Sequence, residues 1–509
     1  MDISAWIAHR GQWSPEKVAL RFEGEEITYA QLEECVAHIA GGLAHDLHVQ
    51  PGDRVAYLGW NSPVLLELLF ACARLGAIFV PLNARMTVEQ HRVFLANCEP
   101  RCLVVDAAFR QHAERCLEGR EPIPTVVIGA TEEAQDTLQW ESIAQSSVRV
   151  PVNNEIPLST PLLIAYTSGT TGNAKGALLT QEALFYNALN ALSAFDLTSQ
   201  DEVLTCLPMF HVGGMNIQTT PALYAGATVT ILRQFDPTRV LQEIERRGIT
   251  LLLTVPPVSR ALITHPAWES TSLRTLRALA IGSTIVPPEA MQPWIERGIP
   301  VSQVYGLTET CPIAIMLPMQ DSERKFGSVG KPVQYCQARI VNLTGDDVTA
   351  DEVGELLLRG PNVLTRYWMN PEATAAAFVD GWFRTGDAGH MDAEGYFYID
   401  ERLKDIIIVG ASNVYPADVE RILVECEAIA EAVVVGRPDA ALGEVPVACV
   451  VLRPGHVMSA DQVKELFKDR LAEYQHPRDV LFFESLPHTA LGKVQKSIVR
   501  EQVKTAVQA

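Results

Sequence analysis

A chain of 509 residues, 48% hydrophobic and 20% charged, is globular and too long for one ordinary core; its length implies about two to four structural units. With 41 basic against 61 acidic residues the net charge is -20, which disfavours generic binding to nucleic acid or to anionic membranes. Any anionic ligand must therefore be met by local cations. The first residues carry Asp2, His9, Arg10, Glu16 and Lys17 and lack an apolar run of signal-peptide length. The longest apolar stretch, Pro63 to Leu82, contains Glu67 and Arg74, so it reads as a buried helix followed by a strand and not as a membrane span. Ten cysteines without a CxxC pair point to reduced thiols in a cytoplasmic protein.

In chain order, Val18 to Tyr29 reads as a hairpin around Glu23-Gly24-Glu25, and Tyr29 to about Leu47 as a helix. After the turn at Pro51-Gly52-Asp53, strands at Val55 to Leu58, Ile78 to Val80, Cys102 to Val105 and Thr125 to Ile128 alternate with helical segments. This is the pattern of an α/β layered fold.

Residues Thr167 to Gly176 read TSGTTGNAKG between the apolar runs Pro161 to Tyr166 and Ala177 to Thr180, which read as strands. Glycines let backbone amides approach an anion, Ser and Thr add donors, and Lys175 adds a full charge. A loop that cradles phosphates explains this composition better than a solvated linker does. It is not a Walker A loop, because Lys175 stands between Ala174 and Gly176, without a preceding Gly or a following Ser or Thr. The string resembles the signature loop of the adenylate-forming superfamily, which contains acyl-CoA synthetases, luciferases and peptide-synthetase adenylation domains. The usual proline before the lysine is Ala174 here.

Beyond this loop, Thr180 to Phe195 reads as a helix and Val203 to Leu207 as a strand that runs into LPMFHVGGMN, Leu207 to Asn216. As one residue, His211 is equally well a structural histidine; by the resemblance, His211 and Phe210 line or gate the carboxylate site. Strands and helices alternate through Thr228 to Ile231, Val240 to Arg247, Thr250 to Val255, Thr275 to Ala280 and Val301 to Tyr305. The last two strands lead into Gly282-Ser283-Thr284 and YGLTET, Tyr305 to Thr310. In an open parallel sheet, loops at the carboxyl ends of strands build the ligand crevice. Taken singly, Thr and Glu of YGLTET suit a helix start; in register with the signature loop they resemble the family's adenylate motif.

Residues 325 to 400 become rich in short strands and turns and suggest a small β-barrel or twisted sheet. WFRTGD, Trp382 to Asp387, resembles the family's ribose-binding string. DERLKD, Asp400 to Asp405, is a charged segment of the kind that separates domains. The remainder, with helices near Ala417 to Glu427 and Ala460 to Ala472 and strands at Ala432 to Val435, Val447 to Leu452 and Val480 to Phe483, is long enough for a compact α+β domain. Near its end Gly492-Lys493 resembles the site of the family's catalytic lysine.

The resemblance implies an α/β N-terminal adenylation domain over residues 1–400, built of layered sheets plus a small β-barrel, and a smaller mobile α+β domain over 401–509. It implies an AMP-forming acyl-CoA synthetase that takes ATP and coenzyme A as co-substrates with Mg²⁺. The catalytic residues would be Lys493, Glu309, Thr167 and His211, with Thr167 and Glu309 holding the metal. Contacts to ATP or AMP would come from Thr167, Ser168, Gly169, Thr170, Thr171, Gly172 and Lys175, from Gly282, Ser283 and Thr284, from Tyr305, Gly306 and Thr308, and from Asp387, Arg402 and Lys493. Gly410 and Ala411 would meet CoA, and Glu401 takes the hinge position. His211, Met215, Asn216, Val255, Gly306 and Pro312 would line an acyl pocket suited to an uncharged aliphatic or aryl acid. The partners are thus a small-molecule acid, ATP and CoA, with no nucleic acid and no membrane span, and a homo-oligomer is left open. Two rivals remain at this point: an adenylation domain that loads a carrier protein, and a non-catalytic nucleotide-binding scaffold on the same fold.

Overall fold

The computed structural model describes residues 2–129, 138–167, 175–283, 286–409, 412–439, 442–468, 470–489 and 493–508. Contacts divide the chain into two compact units, Met1–Ala338 with Leu358–Phe383, and Arg339–Leu357 with Arg384–Ala509.

The larger unit holds two large sheets. One has nine strands in the order Lys331–Pro332, Ile315–Met316, Val301–Tyr305, Ala278–Gly282, Leu251–Thr254, Glu202–Thr205, Thr228–Ile231, Val18–Phe22 and Glu25–Thr28. Its centre is parallel from Val18–Phe22 through Val301–Tyr305, and antiparallel strands close both edges. The other has eight strands, in the order Arg366–Tyr367, Lys175–Thr180, Pro161–Thr167, Ile78–Leu82, Arg54–Leu58, Cys102–Asp106, Thr125–Ile128 and Leu138–Gln139. Runs such as Leu251–Thr254 and Ile78–Leu82 are buried at every position, because a parallel strand is covered on both faces.

Local chemistry sets the element ends. The expected hairpin forms, and the helix after it, Tyr29–His45, starts where Thr28 and Gln31 make a reciprocal capping box. Thr180 likewise caps the helix Gln181–Phe195 through the amide of Ala183. The stretch from Pro63 to Leu82 is a helix, Pro63–Leu75, ended by left-handed Gly76, and then the strand Ile78–Leu82. Among the described residues no helix is long and apolar enough to cross a membrane. The strand expected from Thr275 begins only at Ala278, because Leu276 is held in a turn on the carbonyl of Leu273. The strand runs on to Gly282, which is its last residue and not part of the loop.

In the smaller unit the long hairpin Ile429–Asp439 and Gly443–Leu452 forms a sheet with Ile407–Val409, Ser412–Val414 and Asp479–Phe482. Alternation divides its faces. Val434, Ala448 and Val450 pack with Val419, Ile422 and Leu423 of the helix Pro416–Val424, whereas Val433, Val435, Val447 and Cys449 pack with Val499 and Val503 of the helix Lys496–Gln508. The helix expected over Ala460 to Ala472 is regular only for Ala460–Glu465. The amides of Leu466, Phe467 and Lys468 then bond to carbonyls three residues back, which tightens the chain out of the α form. The short-strand region expected over 325 to 400 contributes a five-stranded sheet.

Burial on the helix Pro63–Leu75 includes one ionisable group, Glu67, whose carboxyl is pushed up to about 7 by desolvation. A carboxyl raised in the folded state favours folding below its unfolded value and loses that contribution as pH rises through 7; the loss approaches about 3 kcal/mol. Glu67→Gln should therefore be more stable than the parent above pH 8, with the advantage shrinking toward pH 5, as read from urea midpoints at both pH values.

Candidate active site

The signature loop joins two antiparallel strands, Pro161–Thr167 and Lys175–Thr180, whose ends pair as Thr167 with Lys175. Ser168, Gly169, Thr170, Thr171 and Gly172, and the side chain of Thr167, lie outside the described residues, as do Thr284, Gly410 and Ala411. Lys175 opens its strand and sets its ammonium 5.4 Å from the ring centroid of Tyr367. Tyr367 belongs to the edge strand Arg366–Tyr367, in register with Ala177. Its hydroxyl donates to Oε1 of Glu309 at 2.7 Å. Burial, then the charge of Glu309, raises the Tyr367 pKa far above its ordinary value, so the phenol keeps the proton that it donates.

Glu309 is 9% exposed, and its carbonyl accepts from the amide of Leu364 at 2.7 Å. Backbone and side chain are both held, while a carboxylate bonded at one oxygen keeps lone pairs for a hard cation. That donor chemistry fits Mg²⁺.

The turn that presents Glu309 is tight. A Cβ on Gly306 would lie 1.6 Å from the carbonyl oxygen of Pro312, so only glycine fits there. Thr310 accepts from the amide of Leu307 at 2.9 Å and donates to the carbonyl of Pro312 at 2.7 Å. Asn362 donates to the carbonyls of Thr310 and Ile313 at 2.7 and 2.9 Å, and Asn187 accepts from the amide of Ile313 at 3.0 Å. Tyr367, Asn362 and Asn187 carry no motif signal of their own, and sequence reasoning missed them. Thr310 stands within YGLTET, but nothing in that string marks it as the residue that holds the turn. Tyr305, Gly306 and Thr308 are half-buried on this turn. Gly282 ends the neighbouring strand with its Cα against the carbonyl of Val304, where a Cβ would approach to 2.2 Å; Ser283 follows, exposed, at φ +77°.

The expected acyl residues divide into two kinds. His211 is half-buried, its ring 4.7 Å from that of Phe210, and desolvation followed by the charge of Arg85 pushes it down to about 4. It is a neutral imidazole at pH 7. Asn216 is fully buried and its polar atoms are engaged within the chain: its carbonyl accepts from Asn187 at 2.6 Å, its Oδ1 from Thr220 at 3.1 Å, and its Nδ2 donates to Cys311 Sγ at 3.6 Å. Met215 and Pro312 are buried beside it in sequence and turn, and Val255 is buried at the start of the helix Pro256–Ile263. A groove of about 610 Å³ beside Ile299, Pro300 and Met319 opens near the amino end of Val301–Tyr305, the opposite end from this turn.

Within the smaller unit, Asp387 and Arg402 face each other across paired strands, with Arg402 Nε 2.6 Å from a carboxylate oxygen of Asp387, which is 2% exposed. Lys493 is an exposed residue whose pKa is lowered by desolvation and then by repulsion from Arg402, while Asp387 and Asp405 oppose the shift. Glu401, at the expected hinge, lies in the strand Phe397–Arg402, buried and 3.2 Å from Lys496 Nζ, which is also 3.1 Å from Glu420.

Residues 7–368 match the AMP-binding enzyme family, and residues 418–493 match the AMP-binding enzyme C-terminal domain. The chain belongs to the AMP-binding enzyme family. Within it, the chain is 45% identical over 504 residues to an indoleacetate–CoA ligase of Aromatoleum aromaticum, covering 99% of this chain and 98% of that one. A feruloyl-CoA synthase of Amycolatopsis is 37% identical, with 98% and 99% covered. The structure of an O-succinylbenzoate coenzyme A synthetase of Bacillus subtilis in complex with ATP and magnesium ion superposes with a TM-score of 0.85 at 30% identity, covering 98% of this chain and 99% of that one.

Tyr367 is the residue of this AMP-binding enzyme whose contribution the geometry isolates. A hydrogen bond to a charged group contributes about 1.5 to 3 kcal/mol. Tyr367→Phe should keep the fold and lower kcat/KM for Mg-ATP in the adenylation half-reaction by about 10-fold to 100-fold, measured by pyrophosphate exchange with the acid saturating.

Proposed function

We propose that this AMP-binding enzyme forms the CoA thioester of a small aromatic carboxylic acid, an aryl or arylalkanoic acid without a second charged group. The observation that carries the acid's class is the 45% identity, over nearly the whole chain, to a ligase for indoleacetate. The expected acyl residues agree with it: Phe210, Met215 and Val255 are buried and apolar, and His211 is neutral. The general activity is that of an AMP-forming acyl-CoA synthetase, an acid–thiol ligase. ATP and a carboxylate give an acyl-adenylate and pyrophosphate, and the CoA thiol then displaces AMP. ATP and CoA are co-substrates and Mg²⁺ the cofactor. The carrier-loading alternative lacks support, since Met209 to Asn216 contains no acidic residue to meet a substrate amine.

Two anions must react, and the chain's own groups reduce that repulsion. Glu309 and Thr167 of the signature loop would hold Mg²⁺, which would supply positive charge against the phosphates. Tyr367 fixes the orientation of Glu309, and Lys175 supplies a positive charge at the loop's end. His211, neutral, positions the carboxylate by a hydrogen bond without adding a buried charge. Asp387 accepts from the ribose hydroxyls, with Arg402 paired to it and holding it in place. Lys493 offsets the charge that builds as the carboxylate attacks the α-phosphate. Gly410 and Ala411 border the CoA path, and Glu401 absorbs the rotation between the two half-reactions, with the functional boundary at residues 400 and 401.

The acid class is tested by CoA-dependent AMP release with indole-3-acetate, phenylacetate, ferulate, octanoate and malonate. The best aromatic acid should exceed octanoate and malonate in kcat/KM by at least about 10²-fold; preference for either of those two would overturn the assignment. Lys493 is tested on the half-reactions separately. Lys493→Ala should slow adenylation by at least about 10²-fold, yet convert supplied acyl-adenylate and CoA to thioester within about threefold of the parent.

A further inference from the structure

Three ligand-type side chains meet between two helices of the larger unit that take no part in the proposed chemistry. His91 comes from the helix Val88–Cys98, and His112 and Cys116 lie four residues apart on one face of the helix Arg110–Leu117. His91 and Cys116 are buried, and His112 is half-buried, so the cluster has an entry from solvent. Nδ1 of His91 and Nε2 of His112 are 2.8 Å apart, and all three ligand atoms lie within 4.8 Å of one another.

We propose that His91, His112 and Cys116 form a binding site for one thiophilic transition-metal ion of the Zn²⁺ class, with a fourth position open to water.

The tautomer of His91 favours this, and Nε2 of His112, which donates to Nδ1 of His91 at 2.8 Å, becomes a ligand when its proton moves to Nδ1 of its own ring. The other ring nitrogen of His91, Nε2, is 3.0 Å from the carbonyl oxygen of Asn83, which can only accept, so Nε2 carries the proton and Nδ1 presents its lone pair to the cluster. A backbone carbonyl that orients a histidine in this way is the usual outer partner of a metal ligand. Burial lowers both imidazoles, His91 to about 4, so both are neutral at pH 7 and available as ligands. Burial also pushes the Cys116 thiol up to about 11, while the charges of Arg92 and Arg115 pull it down. Metal binding therefore releases a proton to make the thiolate, which the two arginines stabilise. A tetrahedral ion with bonds of about 2.0 Å to nitrogen and 2.3 Å to sulfur separates its ligand atoms by about 3.3 to 3.6 Å. The two ring nitrogens, 2.8 Å apart, stand closer than that and all three atoms fall within 4.8 Å, so small side-chain rotations reach it. Two nitrogens and one sulfur, without a carboxylate, select against Mg²⁺.

The site bears on the signature loop through packing alone. Phe94, one turn from His91, stacks on Tyr166 at 4.4 Å, and Asn97 accepts from the Tyr166 hydroxyl at 2.6 Å. Tyr166 immediately precedes Thr167. An ion bridging the helices would stiffen this support without entering the reaction.

The test uses the full chain, stripped with a chelator and titrated with Zn²⁺ against a chromophoric competitor, and separately with Co²⁺. The parent should take up one Zn²⁺ tightly, rise in Tm on binding, and give with Co²⁺ a near-ultraviolet thiolate charge-transfer band. His112→Gln, at a half-buried position where folding is least at risk, should weaken Zn²⁺ by more than about 10-fold to 100-fold. Cys116→Ser should abolish the Co²⁺ band. Equal Zn²⁺ affinity in the parent and both variants, or a parent Co²⁺ spectrum without thiolate character, would overturn the proposal.

Discussion

A single hydrogen bond of 2.7 Å, from the phenol of Tyr367 to the carboxylate of Glu309, ties the two large sheets together at the site. Tyr367 stands on the edge of the eight-stranded sheet beside the strand of Lys175, and Glu309 follows a strand of the nine-stranded sheet. The bond is possible only because the turn that follows Tyr305 closes tightly, with Gly306 bare against the carbonyl of Pro312 and Thr310 bonding at both ends of the turn.

That geometry answers an electrostatic difficulty. The chain carries a net charge of -20 and handles anionic reactants, so its overall field is of the wrong sign and catalysis depends on charges placed within a few ångströms. Lys175 lies over an aromatic face in one unit, and Lys493, Arg402 and Asp387 form a mixed-charge group in the other. At the expected acyl residues, burial and then the charge of Arg85 keep His211 neutral, and Asn187 and Asn216 direct their amides to backbone, a hydroxyl and a thiol.

Glu401, the proposed hinge residue, is held by its side chain. Its carboxylate is buried against Lys496, which Glu420 also meets, so the strand carrying it is fastened to the terminal helix by charge as well as by pairing. A rotation at residue 401 would have to turn on the backbone, because this side chain stays anchored to Lys496.

The sequence alone determined the elements whose signals are local. Apolar runs of strand length, capping residues such as Thr28 and Thr180, the loop TSGTTGNAKG and the string YGLTET all lie within short windows, so periodicity and turn chemistry expose them. The layered α/β class and the family followed from their order. Tertiary structure decided what depends on residues far apart in the chain. Tyr367 meets Glu309 across 58 residues, Asn187 meets Ile313 across 126, and neither polar partner lies in a string with a chemical signature. It also decided roles that one-dimensional reading blurs: Gly282 is a strand residue pressed on a neighbouring carbonyl, Thr310 and not Thr308 holds the turn, and the helix after Ser459 ends at Glu465. Propensity and motif register what a residue can do with its neighbours in sequence. Which backbone group it must satisfy, and how close another strand will come, is fixed only when the sheets pack.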